Sequence, residues 1–144
     1  MDEMTWLFTY GTLQDPTVLT VLLGTPPPMV DIAVSGWRVA PLRDKVYPGL
    51  VADRYAYAAG KAMVVTPQAL ALLDAFEDDI YERVPVGQAP GDGQPPQLHA
   101  FTIPVNHTDK VGVGLWTLEA FRSSDDYSPY LERVAAWAAR WRST

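Results

Sequence analysis

The sequence predicts a mixed α/β (α+β) fold, a twisted and partly closed sheet with peripheral helices. Short β-compatible runs are interspersed with a few helices without regular strand-helix alternation, which argues against a doubly wound sheet. No internal repeat or shift of composition divides the 144 residues, so one domain is expected over 1–144. A chain of this length buries roughly two-thirds of the surface it exposes unfolded. Near the end, Tyr130, Val134, Trp137 and Trp141 recur at spacings of four, three and four, the stripe of an amphipathic helix laid over a core.

Each element has its own signal. Trp6-Leu7-Phe8 is a short apolar strand that leads into Thr9-Tyr10-Gly11-Thr12-Leu13, a turn. A helix follows from Asp15 to Leu23, with Asp15 as N-cap, Pro16 in the first helical position and Gly24 as its stop. Met29 to Val39 alternates loosely and breaks at Ser35-Gly36, giving two strands or one strand with a bulge. Arg43-Asp44-Lys45 reads as a charged loop and Tyr47-Pro48-Gly49 as a turn. Tyr57 to Val65 is a strand in which Gly60 marks a bulge or a close backbone approach. Thr66-Pro67 opens a helix to about Phe76, with Leu70 and Leu73 facing inward and Glu77 close to the core. Tyr81 to Val86 and Gln97 to Val105 are further strands, separated by a surface loop from Gln88 to Pro96. Two helices close the chain, one around Thr117 to Arg122 and one from Ser128-Pro129 to about Trp141. The tryptophans of the last helix, Trp137 and Trp141, read as packing.

Composition removes several classes. Without cysteine there are no disulfides, thiolate metal sites or cysteine nucleophile, which fits a reducing cytoplasm. A net charge of −6 without clustered Lys and Arg argues against a nucleic-acid surface. The N-terminus lacks the basic segment of a signal peptide, and no apolar run is long enough to span a bilayer. Small-molecule or protein partners remain.

Two stretches can carry chemistry. Successive amides at the Tyr10-Gly11-Thr12-Leu13 turn can converge on an anion such as a substrate carboxylate, with Gly11 permitting backbone angles that other residues resist. Alone, the same residues fit an ordinary turn with Tyr10 in a core. Asp74-Ala75-Phe76-Glu77-Asp78-Asp79 places four carboxylates at the end of a helix, where negative charge is unfavourable. A partly buried Glu77 would there be pushed toward the protonated form and could both take and give a proton. A solvated acidic patch is the competing reading. A calcium loop is not, because the alternating oxygen ligands and central glycine are missing. His99 and His107 have no metal-ligand partners at helical spacing, and no nucleophile elbow, phosphate loop or dinucleotide fingerprint occurs.

The chain resembles the γ-glutamylcyclotransferase-like family, including its avirulence-induced and γ-glutamylamine cyclotransferase groups. The resemblance rests on Phe8-Thr9-Tyr10-Gly11-Thr12-Leu13, Tyr47-Pro48-Gly49, Gly60, Leu73-Asp74-Ala75-Phe76-Glu77 and Tyr81-Glu82-Arg83-Val84. These stand in the family's order from Tyr10 to about Val105. It implies a β-barrel-like sheet and a cavity where the turn meets the acidic segment. It further implies Glu77 as the acid-base, and Tyr10, Gly11, Thr12, Leu13, Tyr47 and Tyr81 as substrate-binding residues. The expected reaction closes a γ-glutamyl group to 5-oxoproline and frees an amine, which calls for no metal, nucleotide or other cofactor. The expected partner is a small γ-glutamyl molecule, not nucleic acid or membrane, with the protein a cytoplasmic monomer or homodimer. A non-catalytic small-molecule binding domain that keeps the cavity is the alternative. Two departures bear on the substrate: Ala100-Phe101-Thr102-Ile103-Pro104 lacks the tyrosine often found there, and Asp78-Asp79 replace a frequent glycine.

Overall fold

The computed structural model describes residues 3–91 and 97–144. Five strands, β1 (Thr5–Thr9), β2 (Met29–Pro41), β3 (Pro48–Val65), β4 (Glu82–Gln88) and β5 (Gln97–Thr102), form one sheet in the order β2-β3-β1-β5-β4. Neighbouring pairs are antiparallel except β1 with β5, which run parallel with Trp6 opposite Leu98 and Leu7 opposite His99. The sheet curls. Val34 of β2 and Val86 of β4, on the two edge strands with three strands between them, meet in the same inner cluster with Phe8, Leu50 and Leu98. On the outer face Leu7, Met63 and Phe101 pack against Leu19, Leu73 and Val134 of the helices α1 (Pro16–Leu23), α2 (Pro67–Phe76) and α4 (Tyr127–Arg142). A short α3 (Leu118–Arg122) precedes α4. Among the described residues no helix is long and apolar enough to cross a membrane.

Capping chemistry places the helices as expected. The Asp15 carboxylate accepts from the Thr17 amide at 3.1 Å, and Thr66 and Thr117 hydroxyls accept from Ala69 and Ala120 at 3.0 and 3.1 Å. Gly24 ends α1 with φ +84°, a left-handed conformation that favours glycine. Between β1 and α1 lies a 3-10 turn, Thr12–Gln14, that the expected direct passage into a helix omits.

Other expectations change. Tyr47-Pro48-Gly49 is not a turn: Pro48 and Gly49 already pair with Pro41 and Ala40, and the chain reverses earlier, at Arg43-Asp44, where Asp44 adopts φ +61°. Gly49 is small because Ile103 covers it, a Cβ there lying 2.4 Å from Ile103 Cγ1. Met29 to Val39 is one strand with an irregularity at Gly36, and β3 is a single strand that begins nine residues before Tyr57. The pairing passes from Ser35 opposite Tyr57 to Trp37 opposite Ala52, so residues 53–56 bulge outward and interrupt the pattern. Gly60 is a close approach: a Cβ would lie 2.2 Å from the Thr9 carbonyl oxygen on β1. β4 runs on to Gln88, and β5 ends at Thr102. Of the loop expected from Gln88 to Pro96, residues 92–96 lie outside the described residues.

Candidate active site

The end of β1 and the start of α1 deliver Tyr10, Gly11, Thr12 and Leu13 to one wall of a cavity of about 320 Å³. Three bonds fix this wall. The Tyr10 hydroxyl donates to the Phe101 carbonyl at 2.6 Å, Gln14 Nε2 donates to the Tyr10 carbonyl at 2.9 Å, and the Thr12 and Tyr130 hydroxyls share a bond of 2.9 Å. The 3-10 turn closes with Gln14 N to Gly11 O, so it leaves the earlier Thr12 and Leu13 amides unused. Gly11 has φ −123° and ψ −132°, a combination in neither the helical nor the extended region. Its missing side chain also matters for packing against Pro48.

The end of α2 supplies the facing wall. Glu77 is the C-cap, its amide donating to the Leu73 carbonyl at 3.0 Å, and its extended backbone turns the chain out of the helix. The four carboxylates separate here. Asp74 and Asp79 are exposed, with Asp74 held by both Arg83 Nε and Nη2 at 2.8 and 3.0 Å, whereas Glu77 and Asp78 are half-buried and line the cavity. Burial, followed by the charges of Asp78 and Asp74, pushes the Glu77 carboxyl up to about 8. Asp78 behaves oppositely. Burial works against its charge, but the Tyr47 hydroxyl at 2.7 Å, the Ile80 amide and Lys45 at 3.2 Å outweigh it and hold the carboxyl below its ordinary value.

Tyr47 and Tyr81 stand in the same cavity, so the structure brings all seven residues singled out in the sequence round one space: Tyr10, Gly11, Thr12, Leu13, Tyr47, Tyr81 and Glu77. Tyr81 donates to the Pro48 carbonyl at 2.5 Å. Burial foremost raises the phenols of Tyr10, Tyr47, Tyr81 and Tyr130, and the Glu77 charge adds to this in each, so all four stay protonated at neutral pH. Each hydroxyl is engaged with a protein group, which makes these rings walls of fixed position. Phe101 fills the wall where the family often has a nearby tyrosine, while the Thr102 hydroxyl turns away to the Glu82 carbonyl at 2.9 Å.

The side that the sequence reading missed belongs to α4. Tyr130, Arg133, Trp137 and Arg140 line the cavity. Trp137 does pack, edge-on to Phe76 at 5.1 Å and stacked on Trp141 at 5.5 Å, but it also faces the cavity. The signal available was Arg133 and Arg140 at four before and three after Trp137, basic residues bordering an apolar stripe.

With this geometry in place, comparison with known proteins gives the family. A model described as gamma-glutamyl cyclotransferase, AIG2-like, matches residues 7–118. The chain belongs to the gamma-glutamyl cyclotransferase, AIG2-like family. AIG2-like protein A of Arabidopsis thaliana is 32% identical over 117 residues, 81% of this chain and 71% of that one. AIG2-like protein C of the same plant is 33% identical over 120 residues, 83% and 70% of the two chains. A solution structure from Arabidopsis thaliana superposes with TM-score 0.65 at 28% identity, covering 90% of this chain and 87% of that one. A structure titled gamma-glutamyl cyclotransferase superposes with TM-score 0.60 at 10% identity over 91% and 99% of the chains, a likeness of fold. The mixed α/β fold is thus that of gamma-glutamyl cyclotransferase-like proteins.

Proposed function

We propose that the protein cyclises the γ-glutamyl group of a small γ-glutamyl amine or peptide, releasing 5-oxoproline and the amine, with Glu77 as base and then acid. The observation that carries this is the shared cavity: Glu77, with its carboxyl at about 8, lines the same space as the Tyr10–Leu13 turn. In the empty cavity Glu77 is mostly protonated at neutral pH. A substrate α-ammonium docked beside it favours the carboxylate, which then receives one proton from that ammonium. The freed lone pair attacks the γ-carbonyl carbon, and ring closure makes the attacking nitrogen acidic. As the bond from that carbon to the leaving nitrogen breaks, the proton held by Glu77 and the second one from the ring nitrogen end on the departing amine. It leaves as an ammonium.

The unused amides of the turn are the candidates for holding the glutamyl head, converting a flexible chain into a near-attack geometry; such proximity supplies on the order of 7–11 kcal/mol at best. Incubation with a panel of γ-glutamyl amines and dipeptides tests the proposal. Equal amounts of 5-oxoproline and free amine are expected from at least one compound. Ligand-induced thermal stabilisation without turnover across the panel would instead identify a binding domain that keeps the cavity.

A further inference from the structure

Helix α4 follows residues 7–118 matched by the family model and forms one wall of the cavity. Arg133, Trp137 and Arg140 fall on one face at spacings of four and three. Trp137 and Phe76 give that wall a half-buried aromatic surface. Arg133 and Arg140 are exposed, and among the described residues neither guanidinium makes an ion pair or a hydrogen bond. Arg142 differs: it donates to the Val21 carbonyl at 2.6 Å and ties α4 to α1. Arg140 sits in the last turn, where a cation offsets the helix end, but Arg133 is mid-helix and lies 5.8 Å over the ring of Tyr130, held at the cavity mouth.

We infer that α4 forms the subsite for the departing amine, and that the preferred leaving group carries an aromatic side chain together with a carboxylate. The ring would lie against Phe76 and Trp137, and the carboxylate would meet the guanidinium groups of Arg133 and Arg140, whose planar donors match it. This rests on the cyclisation proposed above. The glutamyl α-carboxylate is a poorer occupant, because it is one carbon from the ammonium that must reach Glu77. Neither arginine is among the groups that shift the Glu77 carboxyl, which is raised by burial first and then by the charges of Asp78 and Asp74. An apolar wall with few converging polar groups is the usual form of a small-molecule subsite. A cationic leaving group, such as that of a γ-glutamyl diamine, is disfavoured by the same two arginines.

The test compares 5-oxoproline release from γ-glutamyl-phenylalanine, its neutral phenylalaninamide counterpart, γ-glutamyl-alanine and a γ-glutamyl diamine. It uses wild type, an Arg133→Gln/Arg140→Gln double variant and Trp137→Leu. Both arginines are exposed, so the double variant is expected to fold. Wild type should favour the phenylalanine compound over its amide by about tenfold or more in kcat/KM, the usual worth of a charged hydrogen bond. The double variant should lose that preference, chiefly through KM, while Trp137→Leu should lose the preference for phenylalanine over alanine. An undiminished carboxylate preference in the double variant, or none in wild type, overturns the inference. If no compound releases 5-oxoproline, the cyclisation fails as a reading. The subsite is then judged by calorimetric binding of the intact phenylalanine compound and its amide: tighter binding of the carboxylate, lost in the double variant, upholds it, and equal affinity overturns it.

Discussion

Gly11 lies against the ring of Pro48, so close that a Cβ at position 11 would stand 2.9 Å from both Cγ and Cδ. The contact joins the turn after β1 to the start of β3 and makes one wall from two separate sequence motifs. A proline ring cannot swing aside as a flexible side chain can. Gly11→Ala should therefore cost about 1–3 kcal/mol, as overpacking does, and raise KM for any γ-glutamyl substrate. Denaturant unfolding and steady-state kinetics check the two effects, and unchanged values in both would show that the wall yields.

Gly60 meets a harder obstacle, since the atom 2.2 Å from its would-be Cβ is a backbone oxygen of β1. Gly60→Ala must push β1 and β3 apart at the middle of the sheet. A loss of about 3 kcal/mol or more is expected in denaturant unfolding, larger than for Gly11→Ala.

Asp78 couples to Glu77 by charge. Replacing it with Asn removes a negative neighbour that raises the Glu77 carboxyl, so that carboxyl should titrate lower. The acidic limb of the kcat/KM profile, which reports the base in the free enzyme, should move to lower pH. A limb that stays in place would remove Asp78 from the account of Glu77.

Glu77 also makes stability depend on pH. Its folded value of about 8 lies above the ordinary value of 4.5, so the folded state binds the extra proton between these limits. Stability from this group is fully present below 4.5 and is lost as pH rises through about 8, at up to about 1.4 kcal/mol per pH unit. The melting temperature of Glu77→Gln relative to wild type should therefore rise between pH 5 and pH 8. A constant difference would mean that the carboxyl is not raised.

Much of this was legible because it is local. Asp15, Thr66 and Thr117 cap the helices they precede through their own side chains, and no tertiary information is needed to expect that. The continuity of β3 was not legible. Residues 53–56 bulge from the strand, and only pairing with β2 shows that Leu50 and Ala58 belong to one element. Tyr47-Pro48-Gly49 looked like a turn because its residues are turn formers, whereas Gly49 is dictated by Ile103, 54 positions away in the chain. The acidic run could be read for Glu77 but not for its division into two inward and two outward carboxylates. The α4 wall was concealed by its own stripe, since a tryptophan at helical spacing satisfies a core and a cavity alike.

The most direct measurement is the rate of 5-oxoproline release from a turned-over γ-glutamyl compound by wild type and by Glu77→Gln, with folding of both verified. Glutamine keeps the shape and loses the ionisable carboxyl. The account predicts a fall on the order of 10²–10⁴ in kcat with the fold intact. Equal release by the two proteins would contradict it.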